Sequence, residues 1–138
     1  MITITKIVQF SASHRYFREE WSEERNRQVF GACANPYGHG HNYTLEVTLR
    51  GEPDTETGMI VDLKEVKSVL EERILERFDH QYLNHALPHF RQIVPTTENL
   101  VLHLRDLLLD AFPGAALHRV RLWESEDLHA EWEEDPPC

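Results

Sequence analysis

The chain of 138 residues has little cysteine, no long apolar run and a deficit of positive charge. Only Cys33 and Cys138 are present, so a disulfide framework is not expected and a reducing, cytoplasmic setting is. No stretch approaches ~18 consecutive apolar residues, which excludes a membrane-spanning helix from the expected elements. The opening Met1-Ile2-Thr3-Ile4-Thr5-Lys6 alternates rather than running apolar, so it does not read as an export signal. Lys and Arg number 14 against 24 Asp and Glu, a net charge of −10. Duplex nucleic acid and anionic membranes both need a basic footprint, so neither is expected as a partner. A small anionic ligand held by a few local cations remains compatible with that charge. Internal repeats, low-complexity tracts and Gly/Ser linkers are also missing. Residues 1–138 therefore read as one domain, long enough to bury a real core without disulfides or metals.

What is present is periodic. Residues 2–12 read as a strand, with Val8, Phe10, Ala12 and then His14 on one parity; Ile7 breaks the alternation and predicts a bulge or a second packed face. Residues 15–38 read as a long excursion, with a short helix through Glu19 to Gln28. Asn42 to Arg50 alternates cleanly, placing Tyr43, Leu45, Val47 and Leu49 on one face of a half-buried antiparallel strand. Asp62 caps an expected helix to about Phe78, and Thr97 caps a second to about Phe112, with Asp79 to Pro95 irregular between them. Strands Leu117 to Glu124 and Leu128 to Trp132 follow. The order ββααββ predicts an α+β fold: a four-stranded antiparallel sheet with two helices on one face.

His39-Gly40-His41 leads into the alternating strand, and residues two apart on a strand share a face. His14 ends the preceding strand on the matching parity. If the two strands pair antiparallel, the three imidazoles converge at one end of the inner face. Three neutral nitrogens with an open fourth position make a catalytic zinc site. The alternatives are polar histidines bonding to loop backbone, or a structural zinc closed by Cys33 as its fourth ligand. Cys33 is either a reactive thiolate or a small buried hydrophobe. Asp79-His80 is either an acid–base relay or a helix C-terminal histidine satisfying carbonyls. Glu124 shares the parity of Val120 and Leu122, so its carboxylate either meets a ligand's N–H groups or marks a strand end in solvent. His85, His89, His103, His118 and His129 show no constellation and read as surface residues.

These features together resemble the 6-pyruvoyl-tetrahydropterin synthase / 6-carboxytetrahydropterin synthase family. The landmarks are Phe10-Ser11-Ala12-Ser13-His14, the run Val29 to Tyr43 containing Cys33, His39 and His41, then Gly58-Met59-Ile60-Val61-Asp62, Asp79-His80-Gln81-Tyr82-Leu83-Asn84, Pro95-Thr96-Thr97-Glu98-Asn99 and Trp123-Glu124-Ser125. They cover about Val8 to Trp132. The resemblance implies the tunnelling fold, in which trimers close a twelve-stranded barrel and two trimers stack as a homohexamer with sites between subunits. It implies one Zn2+ per subunit on His14, His39 and His41, a catalytic Cys33, a proton relay of Asp79 and His80, a pterin-anchoring Glu124 and a pterin-pocket segment Thr96-Thr97-Glu98.

The implied substrate is 7,8-dihydroneopterin triphosphate, which loses triphosphate to give 6-pyruvoyl-tetrahydropterin. Arg15, Arg18, Arg25 and Arg27 are candidates to offset the phosphate charge. An alternative product in the same family is 6-carboxy-5,6,7,8-tetrahydropterin with acetaldehyde, on the route to the deazapurine queuosine. Cys33 five residues before His39, and the run Asn35 to Tyr43, look like the pyruvoyl type; Asp79 to Asn84 looks like the carboxy type. Outside the enzyme class the rival is a zinc-stabilised binding module. The tail after Trp132 departs from the family.

Overall fold

The structure is a computed structural model that describes residues 1–136; Cys138, expected on a frayed tail, lies outside them. Two thirteen-residue strands form its spine. β1 (Ile2–His14) and β2 (His39–Gly51) pair antiparallel from Ile2 opposite Gly51 to His14 opposite His39. The register is continuous, so the bulge expected at Ile7 is absent from this pair. Ile7 instead points to the open face and stands exposed. β4 (Ala116–Ser125) adds to the other side of β2, and β5 (Leu128–Glu133) to β4, both antiparallel.

The four-stranded, wholly antiparallel expectation needs correcting. A fifth strand, β3 (Gln81–Tyr82), lies parallel to β1 at its edge, giving the order β3-β1-β2-β4-β5. Two residues carry no periodicity, so this strand has no sequence signature. The helical part is also more broken than ββααββ. α1 (Glu23–Phe30) lies in the excursion, capped by the Ser22 hydroxyl, and a 3-10 turn Gly31–Ala34 follows it. α2 (Leu63–Leu70) continues through a π turn, Glu71–Leu75, into α3 (Glu76–Phe78). The Asp62 carboxylate accepts from Lys64 N, the cap the sequence predicts. α4 (Leu83–Ala86) and a 3-10 turn, Pro88–Arg91, occupy the stretch expected to be irregular. α5 (Thr97–Leu108) is capped by Thr96 rather than Thr97: the Thr96 hydroxyl accepts from Asn99 N, while Thr97 is buried in the first turn.

The helices cover one face of the sheet. Phe10, Tyr43, Leu45, Val47, Val120 and Leu122 point into it and meet Ile74, Phe78, Leu100 and Leu104 in a continuous core. Each such large apolar side chain contributes about 1.5–3 kcal/mol when fully buried. The opposite face is polar: Thr5 bonds Thr48 at 2.8 Å, and Trp123 Nε1 donates to Glu46 Oε2. That alternation leaves His14, His39 and His41 on the covered side, at the end of the β1–β2 pair.

Candidate metal centre

His14, His39, His41 and Glu124 each aim one donor atom at a common region, with all four atoms within 4.8 Å of one another. The β1–β2 register sets His14 opposite His39 and Ala12 opposite His41. β4 delivers Glu124 beside them, where an irregularity between Trp123 and Ser125 leaves Glu124 without a strand partner. His14 Nε2 lies 3.1 Å from His39 Nε2, and Glu124 Oε1 lies 3.0 Å from His41 Nε2 and 3.5 Å from His14 Nε2.

The imidazole of His14 is fully buried and oriented from behind. Its Nδ1 lies 2.8 Å from the Pro95 carbonyl, to which it donates, so Nε2 carries a lone pair toward the cluster. Tyr43 Oη lies 3.3 Å from the same Nδ1. Burial pushes the His14 pKa down to about 4, with a partial opposing pull from the Pro95 carbonyl and a further push from His39 and His41. His41 is also held below the usual histidine range, first by burial, with Glu124 pulling the other way. Its Nε2 is buried and has no hydrogen-bond partner among the described residues. Orphaned, converging donors of this kind fit a metal ion: ligands about 2.0–2.1 Å from a tetrahedral ion stand about 3.3 Å apart.

The other expected site residues are placed differently. Cys33, in the 3-10 turn, is half-buried and is not part of the four-donor group, which removes the geometry for a zinc closed by that thiolate. It is tied to the centre indirectly. Tyr16 N donates to the Cys33 carbonyl at 2.8 Å, and the Tyr16 ring stands edge-on to His14 with centroids 5.1 Å apart. Burial, then Glu124, push the Tyr16 phenol well above its usual range.

Asp79 and His80 do form a pair, Oδ2 to Nδ1 at 3.0 Å. Asp79 Oδ1 also accepts from Ser11 N, and Ser11, with the β1–His80 backbone bond, holds the pair at the sheet edge. Those contacts hold the Asp79 carboxyl below its usual range, Ser11 contributing most. His80 has positive φ, and its side chain is 82% exposed. It borders a cavity of about 540 Å3 shared with Ser11, Ser13, His41 and Tyr82. A second cavity, about 720 Å3, adjoins His41 on the other side and is walled by Trp123, Glu124, Asn42 and Thr44. Cys33 lines neither of these two cavities. Thr96, Thr97 and Glu98 stand at the start of α5, directly after the Pro95 carbonyl that fixes His14.

Three of the four candidate arginines are engaged locally: Arg15 Nε donates to the Ala34 carbonyl, Arg18 pairs with Glu20, and Arg25 lies over the Trp21 ring. Sequence reasoning missed Pro95, Tyr16 and Tyr43 as supports of the centre; the shared parity of His41 and Tyr43 was the available signal. It also misplaced His103 as a surface residue. That ring is half-buried on α5, stacked on His89 at 4.1 Å and edge-on to Phe90, and burial lowers its pKa to about 4.

Three imidazoles and a carboxylate at a sheet end, opening on two cavities, define a candidate metal-dependent enzyme site rather than a closed structural one. Comparison with known proteins places the chain among enzymes. The family description 6-pyruvoyl tetrahydropterin synthase matches residues 3–135. The 6-pyruvoyl tetrahydrobiopterin synthase of Poecilia reticulata is 42% identical over 123 residues, covering 89% of this chain and 84% of its own. The human protein of the same name is 40% identical over 124 residues, covering 90% and 86%. The solved 6-pyruvoyl tetrahydropterin synthase of Caenorhabditis elegans superposes with a TM-score of 0.90 at 32% identity, covering 97% of this chain and 96% of that one. The chain belongs to the 6-pyruvoyl tetrahydropterin synthase family and is an enzyme of its lyase type.

Proposed function

We propose that the protein converts 7,8-dihydroneopterin triphosphate to 6-pyruvoyl-tetrahydropterin with loss of triphosphate, using one zinc ion held by His14, His39 and His41. The observation that carries this is the buried, unpartnered Nε2 of His41 facing the other donors beside two cavities large enough for a small ligand. When bound, zinc supplies Lewis-acid polarisation of the substrate's side-chain hydroxyls. The residues do the rest. The Cys33 thiolate removes the proton from the side-chain carbon. His80, held by Asp79, exchanges that proton with the thiolate or keeps it charged. Thr96, Thr97 and Glu98 shape the pterin pocket, and Glu124 anchors the ring through its N–H edge.

Among the described residues Cys33 borders neither of the two cavities beside the metal group, whereas His80 borders the first. This supports a site completed by a neighbouring copy, as in a trimer that closes a barrel and stacks as a hexamer. Closing a barrel also removes the exposed edges at β3 and β5. Within the run Asp79 to Asn84, which looks like the carboxy type, Asn84 has a visible structural contact. Asn84 accepts from Arg15 N and donates to the Arg15 carbonyl, holding the turn after His14.

Incubation of purified protein with 7,8-dihydroneopterin triphosphate, with and without a chelator, followed by mass spectrometry, tests the proposal. The expected result is a 6-pyruvoyl product and released triphosphate, abolished by chelation. A 6-carboxy product with acetaldehyde would overturn the product assignment, and unchanged substrate with metal bound would overturn the substrate assignment.

A further inference from the structure

We propose that Glu124 supplies the fourth donor to the metal ion in the substrate-free protein and yields that position when the substrate's side chain arrives. The inference rests on the metal reading above and extends it to how the open position is guarded. His14 Nε2 has no proton to offer, because Nδ1 of the same ring donates to Pro95. His41 Nε2 makes no hydrogen bond among the described residues, although Glu124 Oε1 stands 3.0 Å away. The same oxygen lies 3.5 Å from His14 Nε2. The carboxylate oxygen and the His14 lone pair, 3.5 Å apart, repel each other unless a cation lies between them, and the His41 nitrogen 3.0 Å from the same oxygen makes no hydrogen bond that would relieve them. The spacings of 3.0, 3.1 and 3.5 Å bracket the roughly 3.3 Å expected between donors of a tetrahedral ion.

The backbone supports both positions of the carboxylate. The irregularity between Trp123 and Ser125 frees Glu124 from the ladder, and such bulges re-aim a side chain. Trp123, anchored to Glu46, keeps the strand fixed on one side. Glu124 also lines the larger cavity, so a displaced carboxylate moves into space where a ligand's N–H groups can meet it. A closed resting shell retains the ion, while a catalytic shell needs an open position; a mobile fourth donor provides each in turn.

The test loads metal-free protein with Co2+ alone and follows affinity by competition with a chelator, together with the visible d–d bands. Glu124→Gln is expected to bind Co2+ about 10–100-fold more weakly than wild type, with shifted bands. Glu124→Asp, which keeps the charge but withdraws the oxygen, is expected to fall between, and Glu134→Gln to match wild type. Adding 7,8-dihydroneopterin is expected to shift the bands of the wild type. Equal affinity and identical bands in wild type and both Glu124 variants would overturn the role of Glu124 and leave the three-histidine site standing. Failure of the wild type to bind Co2+ would overturn both. Far-UV circular dichroism on each variant separates loss of the ligand from loss of the fold.

Discussion

The two ends of the same sheet each gather histidine and carboxylate, and they end in opposite chemical states. At one end His14, His39, His41 and Glu124 converge with a buried nitrogen left unpaired. At the other, His118 meets Glu133 at 3.2 Å through Nε2 and Glu134 at 3.2 Å through Nδ1, while Arg50 also pairs with Glu134. Arg50, more than His118, holds the Glu134 carboxyl below its usual range. The second cluster is half-exposed and satisfies itself with a resident cation. In the first, Glu124 has no Arg or Lys ion-pair partner among the described residues, and burial lowers the pKa values of His14 and His41. A metal centre is thus recognised by donors that lack partners, not by the number of histidines and acids in reach.

The contrast can be sharpened at the catalytic step first. Cys33→Ala is expected to lower kcat by about 10²–10⁴-fold while metal content, read by elemental analysis, stays unchanged. His118→Ala at the other end should leave kcat within about twofold, as for a surface substitution. Asp79→Asn keeps an oxygen for Ser11 N but removes the charge beside His80. A loss of about 10²-fold in kcat is expected, with a displaced basic limb in the pH–rate profile and a near-wild-type Tm.

Acid provides a third, smaller contrast. The folded pKa values of His14 and His103 are near 4 against 6.5 unfolded. The unfolded chain therefore binds more protons between those values. The stability from keeping both rings neutral is present above about pH 6.5 and is lost as pH falls toward about 4. The metal-free protein should lose roughly 5 °C or more in Tm over that window. His103→Gln should flatten part of the slope. Smallest of all, Glu134→Gln should cost under about 1 kcal/mol in urea unfolding, because its partners are solvent-screened, and should leave metal affinity unchanged.

Much of the fold and of the metal group was legible because both rest on strand parity. Val8, Phe10, Ala12 and His14 on one strand, and His39, His41 and Tyr43 on the next, specify their faces by alternation alone, and antiparallel pairing does the rest. Glu124 was legible as an inward carboxylate, but its reach to His41 depends on a local irregularity in β4 that no alternation encodes. β3 is too short to have a period, and its pairing with β1 depends on where the helix before it ends. The π turn at Glu71–Leu75 lies inside one run of helically spaced apolar residues, which reads as a continuous helix. His103 was misread because it flanks the stripe of Leu100, Leu104 and Leu107 on α5. The stacking partner that buries it, His89, comes from a turn without periodicity. The relation of Cys33 to Asp79 and His80 is a matter of tertiary and subunit geometry, and neither is written into local spacing.

The contrast between the two ends is tested most directly by titrating metal-free protein with Zn2+ in a calorimeter. His39→Ala and His118→Ala are run beside the wild type. One ion per chain is expected for wild type and for His118→Ala, with tight binding lost in His39→Ala. Wild-type affinity in His39→Ala, or loss of the ion in His118→Ala, would contradict the assignment of the metal to the end of the sheet where the donors are unpaired.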